Sequence, residues 1–189
     1  MREAATKTYN YAAIIEARLD ATLRRTDGVL QEFAHELKLL PMQQQPPPPH
    51  AVLEAEDRLD RALRQFPELA GLRVYDARGE LLYTSRAERS PRPSIADRAY
   101  FRALREAGRD ALVFSEVLDV VSTGRQGVVA ARPVLDGQGR FIGTVMAVLD
   151  LDHFKHLFQS LDVGPSGALA IRRSDDYRGV VCWPELGRE

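Results

Sequence analysis

The segment Asp97-Arg98-Ala99-Tyr100-Phe101-Arg102 places two guanidinium groups and a phenol within six residues. If it opens a helix, Arg98 and Arg102 stand one turn apart and share a face. Arginine offers a planar fork of donors that matches a carboxylate or a phosphate. A helix start adds unpaired amide groups and the positive end of the helix dipole. The guest this chemistry suits is a small anion. The same residues also have a purely structural use, in which Asp97 and Arg98 tie the helix to a neighbouring loop while Tyr100 and Phe101 fill the core. For Phe101 the core role is preferred.

A second group follows: Ser115 in Phe114-Ser115-Glu116, Ser122 and Thr123 in Val120-Val121-Ser122-Thr123-Gly124, and Arg132 in Ala130-Ala131-Arg132-Pro133-Val134. Three hydroxyls and an arginine among valines and alanines fit a small polar-ligand pocket, with apolar walls and few aimed polar groups. Buried serines satisfied by backbone give the same pattern.

Other chemistries lack their residues. The chain has no glycine-rich phosphate loop ending in Lys-Ser or Lys-Thr, no GxGxxG and no GxSxG. The histidines are His35, His50, His153 and His156. The last two stand three apart beside Asp152, without the third ligand at fixed spacing that a metal site needs. Asp150 and Asp152 alternate across a strand end and so do not share a face. A single cysteine, Cys182, excludes an intrachain disulfide and any multi-cysteine metal centre. No cofactor, no metal and no catalytic constellation is expected.

The elements that must position these residues follow from periodicity. Residues 3–40 read as one long helix whose Leu23, Thr26, Leu30, Phe33, Leu37 and Leu40 form a seam broken only by Thr26. Gly28 is its weak point, costing about 1 kcal/mol relative to alanine. Such a seam suits a core helix, a homodimer or a helix descending from a membrane. Pro41 stops it, and Gln43-Gln44-Gln45-Pro46-Pro47-Pro48-Pro49 reads as an extended spacer. A second helix carries Val52, Leu59, Leu63 and Phe66 on one face and closes at Pro67.

After Gly71 the period changes to two. Leu72–Asp76 and Glu80–Ser85 read as a hairpin, followed by a helix from about Asp97 to Ala107, capped by Ser94 and ended by Gly108. Strands at Ala111–Leu118, Gln126–Leu135 and Arg140–Asp150 come next, the last two joined by Asp136-Gly137-Gln138-Gly139. A short helix at Asp152–Leu161 and a strand at Ala168–Arg173 complete the order. Consecutive hairpins demand an antiparallel sheet with flanking helices, an α+β architecture.

Composition bounds the function. At 189 residues the chain is one domain or one plus a fragment, and 44% hydrophobic residues supply a core. With 26 basic against 27 acidic residues there is no global charge to attract nucleic acid. No apolar run exceeds five residues, so neither a transmembrane helix nor a signal-peptide core is read. The last residues, Cys182 to Glu189, close no element, which raises the expectation of a piece of a membrane protein.

Four segments taken together carry a family resemblance: Ser94-Ile95-Ala96-Asp97-Arg98-Ala99-Tyr100-Phe101, Phe114-Ser115-Glu116, Gly139-Arg140-Phe141-Ile142-Gly143-Thr144-Val145 and Leu149-Asp150-Leu151-Asp152-His153-Phe154. In order and spacing, over about residues 10–173, they resemble the double-Cache extracytoplasmic sensor domains. These are PAS-like domains of bacterial transmembrane receptors, particularly diguanylate cyclases and histidine kinases. The resemblance implies a stalk helix and spacer at 1–45, a membrane-distal PAS-like module at 46–162 and the incomplete start of a proximal module at 163–189. It implies a ligand site at Arg98, Tyr100, Ser115, Thr123, Arg132 and Asp150, with Arg102 and Ser122 beside them. There the arginines would meet a carboxylate and Asp150 an ammonium group. Many relatives carry an arginine just before the Ser/Thr-Gly pair, where this chain has Val120-Val121.

The expectation is thus a periplasmic module that binds an anionic or zwitterionic metabolite and signals through its N-terminal helix, reaching the membrane only through segments outside this chain. The alternative is a module without a ligand that dimerises or docks partners through the Leu23–Leu40 seam.

Overall fold

The computed structural model describes residues 2–38, 40, 42, 46–85, 94–120, 124–161, 163 and 167–184, with the backbone alone for residues 2–8. Helix α1 (Arg2–Leu37) is rich in alanine, leucine, arginine and glutamate and free of proline. Helix α2 (Pro49–Leu63) starts on a proline, whose missing N–H costs nothing in a first turn. Strands β1 (Leu69–Asp76) and β2 (Leu81–Thr84) are followed by α3 (Ala99–Ala107), then β3 (Val113–Val120), β4 (Arg125–Leu135) and β5 (Phe141–Asp150). Helix α4 (Leu151–Gln159) and strands β6 (Leu169–Arg172) and β7 (Gly179–Trp183) complete the described elements.

Two compact units result, one of residues 25–150 and one of residues 1–24 with 151–189. In the second, β6 and β7 pair antiparallel and α4 lies against β7. The sequence predicts β6 but not β7, whose five residues Gly179–Trp183 carry little periodic signal.

The first unit is built on a five-stranded antiparallel sheet in the order β2-β1-β5-β4-β3. Its two tight hairpins share one local design. Asp76 Oδ1 accepts the N–H groups of Arg78 and Glu80, both at 2.8 Å, and Asp136 Oδ1 accepts those of Gln138 and Arg140, both at 2.9 Å. An aspartate that closes its own turn this way is a strong local signal, which is why both hairpins are readable from sequence.

Register decides which residues share a face, because directly paired residues point to the same side. Met146 pairs with Arg73 on β1 and Ala131 on β4, so these three face one way. Val145 pairs with Val74 and Arg132, which face the other way. Helix α3 covers the Met146 face, burying Tyr100, Phe101 and Leu104 with Tyr75, Ile95, Val129, Ala131, Met146 and Val148.

On the opposite face Leu72, Val74, Tyr83, Val145 and Ala147 are buried, as are Leu30, Phe33 and Leu37 of α1 and Ala51, Ala55 and Leu59 of α2. The part of the α1 seam from Thr26 to Leu37 therefore lies inside its own compact unit.

The start of α3 differs from the sequence reading. The residue at the N-cap position is Arg98, with no side-chain cap. Ser94 instead donates from Oγ to the Gly79 carbonyl at 3.1 Å and accepts the Ala96 N–H at 3.4 Å. The end is as expected: Gly108 takes the left-handed conformation, φ 59°, that closes a helix without a Cβ penalty.

Candidate functional site

The α3 face gathers the polar side chains that an internal ligand could meet. Tyr100 is 5% exposed, and its hydroxyl donates to the Met146 thioether at 3.8 Å. A thioether is a weak acceptor, so a strong donor is held in an apolar setting with an undemanding partner. Beside it on the same sheet face, Arg73 Nη1 donates to the Tyr75 hydroxyl at 3.4 Å. Burial is the main cause that pushes the Tyr100 phenol far above its usual range, with Tyr75 adding to it and the Arg98 and Arg73 charges opposing it. Tyr100 is accordingly a neutral donor at any physiological pH.

Asp150 faces the same way, since it pairs with Gly127 and stands four residues along β5 from Met146. That separation is roughly 13 Å at strand spacing, with Val148 between them. Its carboxylate meets Arg125 Nη1 at 3.2 Å, and its backbone N–H bonds the Glu68 carbonyl at 2.9 Å.

The structure thus brings Arg98 within electrostatic reach of Tyr100 and sets Asp150 on the same face. Arg98 and Arg102 are both exposed, one turn apart as expected. Two other residues go elsewhere. Arg132 lies on the opposite sheet face, paired with Val145, and its guanidinium is bound to Asp27 and Asp110. Ser115 sits in a β-bulge between Phe114 and Val117, where its hydroxyl accepts the Val129 N–H at 2.9 Å and donates to the Glu116 carbonyl at 2.6 Å. It replaces a ladder acceptor that the bulge removes. Ser122 and Thr123 lie outside the described residues.

Sequence reasoning missed Arg73, Tyr75 and Met146. The alternation Leu72-Arg73-Val74-Tyr75 holds the signal: two large polar-tipped residues at period two need a face that can receive them.

Among the described residues no cluster of three or more His, Cys, Asp or Glu stands together as a metal site, and no helix is long and apolar enough to cross a membrane.

Residues 1–181 match the Cache domain model, and the chain belongs to the Cache family of sensor domains. It is a sensing domain and not a catalytic one. No curated protein matches the chain in sequence. Among solved structures, the extracellular domain of the putative histidine kinase rpHK1S-Z16 is 26% identical with a TM-score of 0.80, covering 98% of this chain and 75% of that one. The ligand-binding domain of the Pseudomonas aeruginosa PAO1 amino acid chemoreceptor PctC, in complex with GABA, is 18% identical with a TM-score of 0.65, covering 89% and 73%. The sensor domain of the Vibrio cholerae histidine kinase DctB is 17% identical with a TM-score of 0.66, covering 92% and 66%. The α+β arrangement expected from sequence is the arrangement these domains share.

Proposed function

We propose that this chain is the extracytoplasmic sensing part of a bacterial signal-transduction receptor. Its distal module, residues 46–162, takes an anionic or zwitterionic metabolite between α3 and the sheet. The observation that carries the reading is the Tyr100 hydroxyl, buried and donating only to a thioether among the described residues. A ligand carboxylate would offer it a far better acceptor and would gain the nearby charges of Arg73 and Arg98. Asp150 supplies the opposite charge on the same face, roughly 13 Å along β5 from Met146 and paired with Arg125, so it would meet an ammonium group only of a ligand extended along the strand. GABA, bound in the Pseudomonas domain, carries a carboxylate of the kind Tyr100 would meet. Binding would draw α3 toward the sheet and shift the population of conformations that α1 passes on.

Thermal unfolding against a panel of amino acids, dicarboxylates and amines tests this. A ligand present at one hundred times its Kd adds about 2.7 kcal/mol of stability. For a chain of this size that raises Tm by roughly 5–10 °C. The Tyr100→Phe variant should lose most of the shift while keeping its own Tm near that of the parent. No shift with any compound, or equal shifts in parent and variant, overturns the reading.

A further inference from the structure

Arg132 joins three elements through one guanidinium. Its Nε and Nη2 bind both oxygens of Asp27 in α1, at 2.5 and 3.1 Å, while Nη1 bonds Asp110 Oδ1 at 2.5 Å. The arginine side chain is only 10% exposed, and Asp27 is 26% exposed. The two-point grip on Asp27 fixes direction as well as distance, because the planar fork matches both carboxylate oxygens. Asp27 is itself steadied by the Gln31 amide at 3.1 Å.

The position of each partner matters. Asp110 lies two residues beyond Gly108, in the segment by which the chain leaves α3. Asp27 precedes Gly28, the residue at which α1 is easiest to bend, and a Cβ built at Gly28 would meet nothing within 4 Å. On its other side Thr26 is buried, and among the described residues its hydroxyl has no partner, so Thr26 itself adds no polar tie to this turn. On β4, Ala131 faces the α3 cluster and the next residue, Arg132, faces away. Arg132 thus spans from the exit of the helix that carries Tyr100 to the glycine-containing turn of the N-terminal helix.

We infer that Arg132 is a positioning residue for signalling, an ionic latch that makes the turn of α1 around Asp27 respond to the position of the α3 exit. Its functional meaning rests on the proposal that α3 is the ligand helix, but the latch itself does not require a ligand. A displaced Asp110 pulls on one branch of a rigid fork whose other two branches hold α1. Removing either carboxylate leaves the fork to reorient toward the other. Removing the guanidinium leaves two carboxylates near each other without their shared counter-charge.

Native-state hydrogen exchange on the full chain tests this without a ligand. Asp110→Asn alters a residue with no bond to α1, yet it should speed exchange of the α1 amides around residues 27–32 about tenfold, the size expected from weakening one charge-assisted bond. In an Arg132→Met background the same Asp110→Asn change should have no further effect on those amides. Arg132→Lys, which keeps the charge but loses the fork, should behave like Arg132→Met and covers the case in which the methionine variant fails to fold. Glu106→Gln on α3 should leave α1 unaffected. Unchanged α1 exchange in Asp110→Asn, or an equal effect with and without Arg132, overturns the latch. Neither outcome bears on whether Tyr100 binds a ligand, which the thermal panel decides separately.

Discussion

The two faces of the five-stranded sheet are both covered by helices, yet they are built differently. Around Tyr100 under α3, a helix of nine residues, the polar contacts include the soft Tyr100–Met146 contact at 3.8 Å and the long Arg73–Tyr75 contact at 3.4 Å, the charged Asp150–Arg125 pair lying further along β5. On the other face Arg132 is cross-linked by short charged bonds to Asp27 and Asp110. Weak, replaceable contacts suit a face that exchanges partners with a solute. Short ionic contacts suit a face that holds its geometry while something else moves.

The largest effects should come from the apolar anchors of each face. Phe101→Ala and Leu30→Ala each remove a side chain with no exposed surface and should each cost about 3–4 kcal/mol in urea unfolding. The comparison sharpens if the Leu30 variant keeps a ligand-induced thermal shift that the Phe101 variant loses. It breaks if Leu30→Ala costs less than about 1 kcal/mol, because the α1 seam would then not belong to the core.

A middle-sized effect is expected at Gly79, whose φ is 84° and where an added Cβ would stand 2.7 Å from the Ala96 nitrogen. Gly79→Ala should cost about 2 kcal/mol from left-handed strain and displaced backbone. It should disturb the α3 face alone, seen as faster amide exchange in α3 with α2 unchanged.

The smallest effect is at the bulge. Ser115→Ala leaves the Val129 N–H without its acceptor and should lower stability by about 1 kcal/mol. Any ligand-induced shift should be unaltered, since the hydroxyl is engaged by backbone. A lost shift with unchanged stability would return Ser115 to the ligand site.

How much of this was legible follows the range of each signal. The hairpins at Asp76 and Asp136 are local, each an aspartate closing its own turn, and they read correctly from sequence. Helix α3 is readable from its pattern and from Gly108, but its cap is not. Ser94 has the right chemistry for a cap, and its hydroxyl is taken by a carbonyl fifteen residues away. Arg132 shows the same limit at larger scale. Its type predicts a carboxylate partner, and it has two, but the carboxylates belong to the protein, one of them 105 residues distant. Period-two alternation separates Arg132 from Ala131 without saying which of them faces α3. The register with β5 decides that, and the bulge near Ser115 adds an offset that no local rule supplies.

The seat of α3 has a mechanical consequence. The Gly79 carbonyl accepts both the Ile95 N–H at 2.9 Å and the Ser94 hydroxyl, so the chain entering the helix rests on the tip of the β1–β2 hairpin. β2 is an outermost strand with four residues. A change in the ribbon's twist therefore acts on the chain entering α3, as a tiller acts on a rudder, while Tyr100, Phe101 and Leu104 keep the helix seated on the sheet. The entrance of α3 is thus steered from a bend at the rim of the sheet.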